Sequence, residues 1–250
     1  MLACLKFSLI IHSFIHFDLN FYSLGVTLVS LSQQINNPER SYFERSLKRL
    51  EQDVLRMGTL VEESFRMSHQ ALFDNQLEAP RKIKELDKEI DRLYRHIEQE
   101  CSSFLTLQSP VAQDLRLLSA VMQLVRDLER IGDYAKDLGE IAMKLTRYTP
   151  HSCMAEMAAM SLHAQRMLDV SLLALTQLDP EAGEMVKTMD DAVDDAYERL
   201  YNILAFQRDV KGVVEPIVLM TLVIRHLERM ADHATNIAQR VSYIVTGHRG

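Results

Sequence analysis

Apolar residues recur at alternating steps of three and four positions along most of the chain after residue 41. This spacing places them on one face of an α-helix, so the pattern predicts amphipathic helices. It is most regular in two long stretches, and such regularity is typical of antiparallel bundles and coiled coils. The two apolar seams consist of Leu117, Val121, Leu124, Leu128, Ile131, Ala135 and Leu138, and of Met220, Val223, Leu227, Met230, Ala234, Ile237, Val241 and Ile244.

Prolines and a breaker at residues 36–38 divide this pattern into six predicted helices. Pro80 and Pro110 open the second and third helices, Pro150 separates two halves, and Pro180 and Pro216 stand at the fifth and sixth helices. The first four helices are predicted over about 42–73, 80–104, 110–147 and 154–178. Because the connections between them are short, we expect neighbouring helices to be antiparallel.

The two halves repeat one another. A shift of 103 residues places Asp87 and Asp91 on Asp190 and Asp194, and a shift of 99 residues superposes the third helix of each half. We therefore predict an all-α fold of two tandem three-helix bundles with a pseudo-twofold repeat, either side by side or sharing longer helices. The predicted domains are an N-terminal extension over 1–37, a first repeat over 38–149 and a second repeat over 150–250.

The first 35 residues differ from the rest, because Lys6 and Asp18 are their only charged side chains among many apolar ones. His12 and His16 interrupt the run that resembles the core of a signal peptide. A membrane-spanning helix needs about 20 apolar residues, and polar side chains fall inside every window of that length here. We expect a poorly ordered extension, or one that results from a start codon assigned too early, and not a membrane anchor.

The net charge and the positions of the cysteines exclude some classes of protein. The net charge is −7 and the chain has no run rich in Lys or Arg, which argues against nucleic-acid binding. Cys4, Cys101 and Cys153 lie far apart and form no C-x-x-C pair. They predict neither a disulfide framework nor a zinc motif, and reduced thiols of the cytoplasm are the simplest interpretation.

Each repeat carries acidic residues spaced four apart, which places them on one face of a helix. The candidate metal ligands are Asp87, Asp91, Glu129, Asp133 and Asp137 in the first repeat, and Asp190, Asp194, Glu228, Asp232 and Asn236 in the second. Like charges at this spacing repel each other, and a bound cation would convert the repulsion into coordination. Such oxygen ligands suit Mg²⁺, Mn²⁺, Ca²⁺ or iron.

A second interpretation of these residues stays open. They could form solvated charged faces on the rim of each bundle, paired with Arg126, Arg130, Arg225 and Arg229. The sequence does not decide whether the acidic flanks of the second and third helices meet in one groove. A ferritin-type di-iron site is excluded, because it needs Glu-x-x-His and Gly132 and Ala231 occupy the histidine positions. His226 and His233 are expected to be surface histidines and not ligands.

Several motifs resemble those of the PhoU family. The stretch from Asp127 to Tyr134 reads D-L-E-R-I-G-D-Y and resembles that family's D-L-E-R-I-G-D signature. The stretch L-E-R-M-A-D-H-A-T-N-I-A, beginning at Leu227, is similar to a second signature. Residues 108–116 resemble the family's loop before the third helix, and residues 241–247 match its closing segment. The resemblance covers about residues 40–247.

This resemblance implies a regulator without catalytic activity. Family members are tandem three-helix bundles whose acidic motifs can hold metal clusters, here of Mg, Mn, Fe or Zn. They are negative regulators of phosphate uptake and of the phosphate-starvation response. The implied partners are the ATPase subunit of the phosphate ABC transporter and a sensor histidine kinase, and the implied form is a cytoplasmic homodimer that reaches the membrane through its partners. The alternatives are a metal-dependent phosphoesterase and an accessory protein of another phosphate permease.

The two repeats differ in residue type at one candidate ligand position. Asn236 stands where the first repeat has Asp137. If both residues were ligands, the second site would have one carboxylate fewer and would bind a hard cation more weakly.

Overall fold

A computed structural model describes residues 38–107, 110, 112–207 and 212–248, and the N-terminal extension predicted over 1–37 lies outside these ranges. The described residues form six helices and no strand. They are α1 (Pro38–Phe73), α2 (Ala79–Leu107), α3 (Ala112–Leu145), α4 (Met154–Gln177), α5 (Ala182–Ala205) and α6 (Glu215–Thr246). The predicted all-α fold of two three-helix bundles is confirmed.

Prolines stand in the first turn of three of these helices; the sequence predicted this for Pro80 and Pro216, whereas it assigned Pro38 to a breaker before the first helix. Pro38 begins α1, Pro80 follows the first residue of α2, and Pro216 follows the first residue of α6. A proline is tolerated there because the first backbone N–H groups of a helix have no partner within it. At the other end of α6, Gly247 has a positive φ of 78° and its N–H donates to the carbonyl of Tyr243. This left-handed residue ends the helix.

Each repeat packs its three helices against one another, and the two bundles lie side by side. The contact between them is made by α3 with α6 and by α1 with α4, whereas α2 and α5 contact only helices of their own bundle. Asp127 of α3 bonds to His233 of α6, and Tyr148 donates to the carboxylate of Glu215. Partner numbers fall on α6 as they rise on α3, so these two helices are antiparallel.

The apolar seams predicted for α3 and α6 form the middle of a core that runs through both bundles. All of the predicted seam residues are buried except Leu117 and Ile244, which are half-buried near the helix ends. None of the six helices in the described ranges is apolar enough over a sufficient length to cross a membrane.

A buried glycine lies in the contact between α1 and α4. A Cβ placed on Gly58 would lie 2.7 Å from Cδ2 of Leu172 on α4. This distance is shorter than two carbon atoms tolerate, so a side chain at position 58 needs α1 and α4 to separate or Leu172 to move. Glycine therefore permits the close approach of the two bundles at this point.

We expect Gly58→Leu to lower the free energy of unfolding by about 1 to 3 kcal/mol, because overpacking of this contact outweighs the gain in helix propensity. Leu172→Ala should recover most of this loss in the double variant, since it removes the clashing atoms. Leu173→Ala changes an exposed neighbour on the same helix and should recover none of it. Urea unfolding of the four proteins measures these differences, and equal recovery by both alanine substitutions would contradict the assignment.

Candidate functional site: two acidic clusters

The acidic flanks of α2 and α3 meet in one groove. Asp87 and Asp91 lie beside the buried stripe of α2, and Glu129 and Asp133 lie beside Leu128 on α3. The charge of Asp91 contributes to the raised pKa of Glu129, after burial and the charge of Asp133. We call Asp87, Asp91, Glu129 and Asp133 the first cluster.

A lysine that the sequence analysis did not select binds two members of the first cluster. The ammonium nitrogen of Lys136 lies 2.9 Å and 3.0 Å from the two carboxylate oxygens of Asp87, and 2.9 Å from Oδ1 of Asp133. Burial lowers the pKa of Lys136, but these hydrogen bonds and the charges of the two aspartates raise it by a larger amount. The net shift of the pKa is therefore upward. Asp87 is only 9% exposed. The lysine therefore carries the positive charge that a buried carboxylate requires.

The second repeat brings the equivalent flanks of α5 and α6 together. We call Asp190, Asp194, Glu228 and Asp232 the second cluster. Burial raises the pKa of Asp190 to about 6, and the negative charges of Asp194 and Asp232 add to this shift. Burial and the charge of Asp232 likewise raise the pKa values of Asp194 and Glu228. These carboxylates therefore repel one another across the groove, as like charges do at short range.

Arginines flank both clusters on α3 and α6. Arg130 lies 3.7 Å from Glu129 and 3.7 Å from Asp133. In the second repeat, Arg225 lies 2.7 Å from Glu228, and Arg229 lies 3.1 Å from Asp232. The arginine of each pair is exposed to solvent, which limits what the pair contributes to stability. Three of the four arginines expected in the ion-pair interpretation therefore contact the acidic residues.

The last candidate ligand of each repeat, Asp137 on α3 and Asn236 on α6, lies at the contact between the bundles. Asp137 faces His226 of α6, whose charge interacts with the carboxyl group. The amide nitrogen of Asn236 lies 3.4 Å from Oδ1 of Asp127 on α3. Both residues thus interact across the contact between α3 and α6. The effect of Asn236 on metal binding by the second repeat stays a prediction.

The two histidines also lie at this contact, and the prediction that they are surface residues is wrong. His233 bonds through Nδ1 to Oδ1 of Asp127 at 2.8 Å, and Asp127 is only 8% exposed. His226 is half-buried, and burial lowers its pKa. The Tyr134 ring lies next to both imidazoles, with centroid distances of 5.2 Å and 5.9 Å. The sequence did not predict that Asp127 and Tyr134 are the partners of these histidines. The repeat shift matches equivalent positions of α3 and α6, and it does not say which positions face each other when the two helices pack.

Neither acidic cluster has the geometry of an assembled metal site in the described residues. In the side-chain positions seen over the described ranges, no three His, Cys, Asp or Glu residues converge at distances that would hold a metal. The chemistry of the second cluster nevertheless suits a hard cation, since four carboxylates face one groove and repel one another there. A cation between them would replace repulsion by coordination.

The PhoU domain model matches two stretches of the chain, residues 54–142 and 157–241, and each stretch lies in one of the bundles. The chain belongs to the PhoU family. Among its relatives, the phosphate-specific transport system accessory protein PhoU homolog of Synechocystis sp. is 84% identical over 220 residues, covering 88% of this chain and 98% of the relative. The PhoU homolog of Clostridium acetobutylicum is 30% identical over 210 residues, covering 83% of this chain and 96% of the relative.

Solved PhoU structures share the fold. The crystal structure of PhoU from Pseudomonas aeruginosa matches with a TM-score of 0.78 and 30% sequence identity. The match covers 82% of this chain and 100% of that chain. The phosphate transport system regulatory protein PhoU from Streptococcus pneumoniae has a TM-score of 0.75 and 26% identity, covering 83% of this chain and 99% of that one. The PhoU resemblance inferred from the signature motifs is thus confirmed, with the two PhoU domains in tandem.

The repulsion within the second cluster should lower the free energy of unfolding at neutral and alkaline pH. The pKa of Asp190 in the folded protein, about 6, lies above the ordinary value of 3.8. Its ionised form therefore opposes folding above pH 6, and protonation removes this opposition as the pH falls towards 4. Asp190→Asn should raise the free energy of unfolding at pH 8 by roughly 1 kcal/mol, a figure reduced for the solvent around this half-buried group. The gain should vanish near pH 4.

Urea unfolding in the presence of EDTA at both pH values measures this effect without bound metal. Glu198→Gln is the matched control, because it removes an exposed carboxylate from the same helix outside the cluster. A gain from Asp190→Asn that is as large at pH 4 as at pH 8 would contradict the role of the ionised carboxyl.

Proposed function

We propose that this PhoU-family chain is a negative regulator of phosphate uptake and of the phosphate-starvation response. It acts as an adaptor between the ATPase subunit of the phosphate ABC transporter and a sensor histidine kinase. The observation that supports this role most strongly is the pair of PhoU domains in one chain, matched over nearly the full length of a relative named as an accessory protein of phosphate transport. The proposed site of action is the cytoplasmic side of the membrane, reached through these partners.

The chemistry of the described residues supports a binding role over catalysis. The acidic clusters lie on the rim of the bundles, and their charged neighbours are arginines and a lysine that pair with them. Both described cysteines are buried, and burial raises the pKa values of both thiols, which disfavours the nucleophilic thiolate. We therefore propose that the protein works by contact with its partners, as a homodimer, and that cations held by the clusters are structural.

A metal-dependent phosphoesterase is the second candidate, and the carboxylates of the second cluster are the observation that favours it. Carboxylate-bound cations can activate water for attack on a phosphate ester. An assay of the purified, Mn²⁺-loaded protein on generic phosphomonoesters tests this function. Turnover that disappears in Asp232→Ala would favour the enzyme over the adaptor, whereas turnover that persists in this variant would point to a contaminant.

Deletion of the gene should leave phosphate-starvation genes expressed in high phosphate, because the transporter could no longer restrain the kinase. A reporter fused to a starvation promoter measures this in phosphate-replete cells, and the reintroduced gene should restore repression. A reporter that stays repressed in the deletion strain would contradict negative regulation and would favour a role as accessory protein of another phosphate permease.

Capture of the partners tests the adaptor directly. The tagged full chain, recovered from phosphate-replete cells, should retain both the transporter ATPase and the histidine kinase. Recovery of neither protein, under conditions in which the transporter itself stays assembled, would contradict the adaptor role. The mass of the purified chain by light scattering tests the homodimer separately.

A further inference from the structure

Sulfur and nitrogen donor atoms gather around Cys153, where the connection between the repeats, residues 146–153, enters α4. Sγ of Cys153 lies 3.0 Å from Nδ1 of His151, 3.6 Å from Sδ of Met157 and 4.0 Å from Sδ of Met220. The three sulfur-containing residues are at most 5% exposed, whereas His151 is half-buried. We call these four residues the sulfur cluster. None of them belongs to an acidic cluster.

Hydrogen bonding alone does not account for this arrangement. A thiol carries one hydrogen, so Cys153 can donate to only one of the three acceptor atoms around its sulfur. The backbone N–H of Cys153 donates to Nδ1 of His151 at 3.2 Å, so Nδ1 carries a lone pair. Nε2 of the same ring lies 3.2 Å from Oε1 of Gln207, which accepts its proton. Gln207 thus holds the imidazole in the tautomer whose Nδ1 can bind a metal, as outer partners of metal-bound histidines do.

The first repeat shows that the core does not need sulfur at these positions. The shifts of 103 and 99 residues that superpose the repeats match each sulfur-containing residue with a hydrocarbon side chain. The matched pairs are Cys153 with Leu50, Met157 with Val54, and Met220 with Val121. The three hydrocarbon side chains are also at most 5% exposed. Packing of the core therefore does not by itself explain why the second repeat has three sulfur atoms together.

The spacing of the sulfur atoms fits ligands of one metal ion. Two sulfur ligands about 2.3 Å from a metal in tetrahedral geometry stand about 3.8 Å apart. The thioether sulfurs of Met157 and Met220 lie 3.6 Å and 4.0 Å from Sγ of Cys153. A sulfur and a nitrogen ligand stand about 3.5 Å apart by the same geometry, so the His151 ring would move outwards by about half an ångström. Its half-buried position in the connection between the repeats permits this movement.

The donor types and the burial select a soft ion with a single charge. Thiolate and thioether ligands favour Cu(I), and thioethers are poor ligands for hard cations. Cu(I) and the thiolate of Cys153 together form a neutral unit. Zn²⁺ would instead leave a net positive charge among buried apolar side chains, which is costly. The Cu–S bond replaces the S–H bond of the thiol, and the proton passes to solvent.

We propose that the sulfur cluster binds one Cu(I) ion, with Sγ of Cys153, the Sδ atoms of Met157 and Met220, and Nδ1 of His151 as ligands. Gln207 is a positioning residue that orients the imidazole. The ion would tie the connection between the repeats to α4 and α6. This site is separate from the proposed regulatory function and from any cation at the acidic clusters.

Competition with the Cu(I) chelator bicinchoninate, under anaerobic and reducing conditions, tests the site on the full chain. We expect the wild-type chain to bind one Cu(I). Met157→Leu and Met220→Leu keep the volume of the core and should each lower the affinity by about tenfold or more, as should His151→Ala. Cys153→Ala should abolish binding, because it removes the anionic ligand. Gln207→Ala should lower the affinity by about tenfold, the usual effect of losing an outer partner.

Matched controls separate the site from other sulfur atoms of the chain. Cys4→Ala and Cys101→Ala remove the other two cysteines. Met160→Leu removes a methionine of α4 that is only 1% exposed, as buried as Met157. These three variants should bind one Cu(I) with the affinity of the wild-type chain. Circular dichroism of every variant checks that its helices are intact.

X-ray absorption at the copper edge identifies the ligands directly. In protein labelled with selenomethionine, two selenium atoms should scatter next to copper. Met157→Leu and Met220→Leu should each remove one of them, and Met160→Leu should remove neither. Asp232→Ala in the second acidic cluster should leave the copper spectrum unchanged.

The outcomes that would overturn the proposal are distinct. A wild-type chain that takes no Cu(I) from bicinchoninate has no such site. Unchanged affinity in both leucine variants would show that the thioethers only pack in the core. Loss of the ion from Cys4→Ala or Cys101→Ala, with Cys153→Ala unaffected, would place it elsewhere on the chain. None of these results would change the reporter measurement on the deletion strain, which tests the regulatory function separately.

Discussion

The antiparallel packing of α3 against α6 is the contact on which the rest of the fold depends. Each of these helices buries a seam within its own bundle and also forms the contact between bundles, so it is surrounded by neighbours on three sides. One of these three neighbours is the outer helix, α2 or α5, which packs on one flank. The acidic residues lie on that flank because the other positions are occupied by apolar packing. The core thus decides where charged chemistry can be placed.

The same contact explains why the two repeats differ where they do. Asp127 and His226 are equivalent positions of the two repeats, and each contacts the helix of the other repeat. Asp127 contacts His233 and Asn236, whereas His226 contacts the equivalent residues Tyr134 and Asp137. In a symmetric dimer of single repeats, an aspartate at both positions would lack its histidine. Fusion of the repeats in one chain allows equivalent positions to carry different residues. It thereby allows buried acid and imidazole groups to be paired.

The sequence predicted the helices well because proline and apolar spacing act locally. Pro80 and Pro216 fall within one residue of the observed helix starts, and the seam residues from Val121 to Val241 are buried as expected. The partners of charged side chains were harder to predict, since they depend on which flanks meet. Lys136 follows Asp133 by three residues, an ordinary spacing for an ion pair on one helix, and only the position of Asp87 on α2 makes it a bridge.

Placement of the clusters limits what a bound cation could influence. The second cluster joins α5 to α6, and α5 contacts only α4 and α6 within the described helices. A cation there would relieve the repulsion between α5 and α6, and it would not alter the seam that joins the bundles. In the first bundle, Lys136 provides the equivalent link between α2 and α3 permanently. The outer helix α2 is therefore tied to α3 by a charged side chain of the chain itself, whereas Thr235 stands at the equivalent position between α5 and α6.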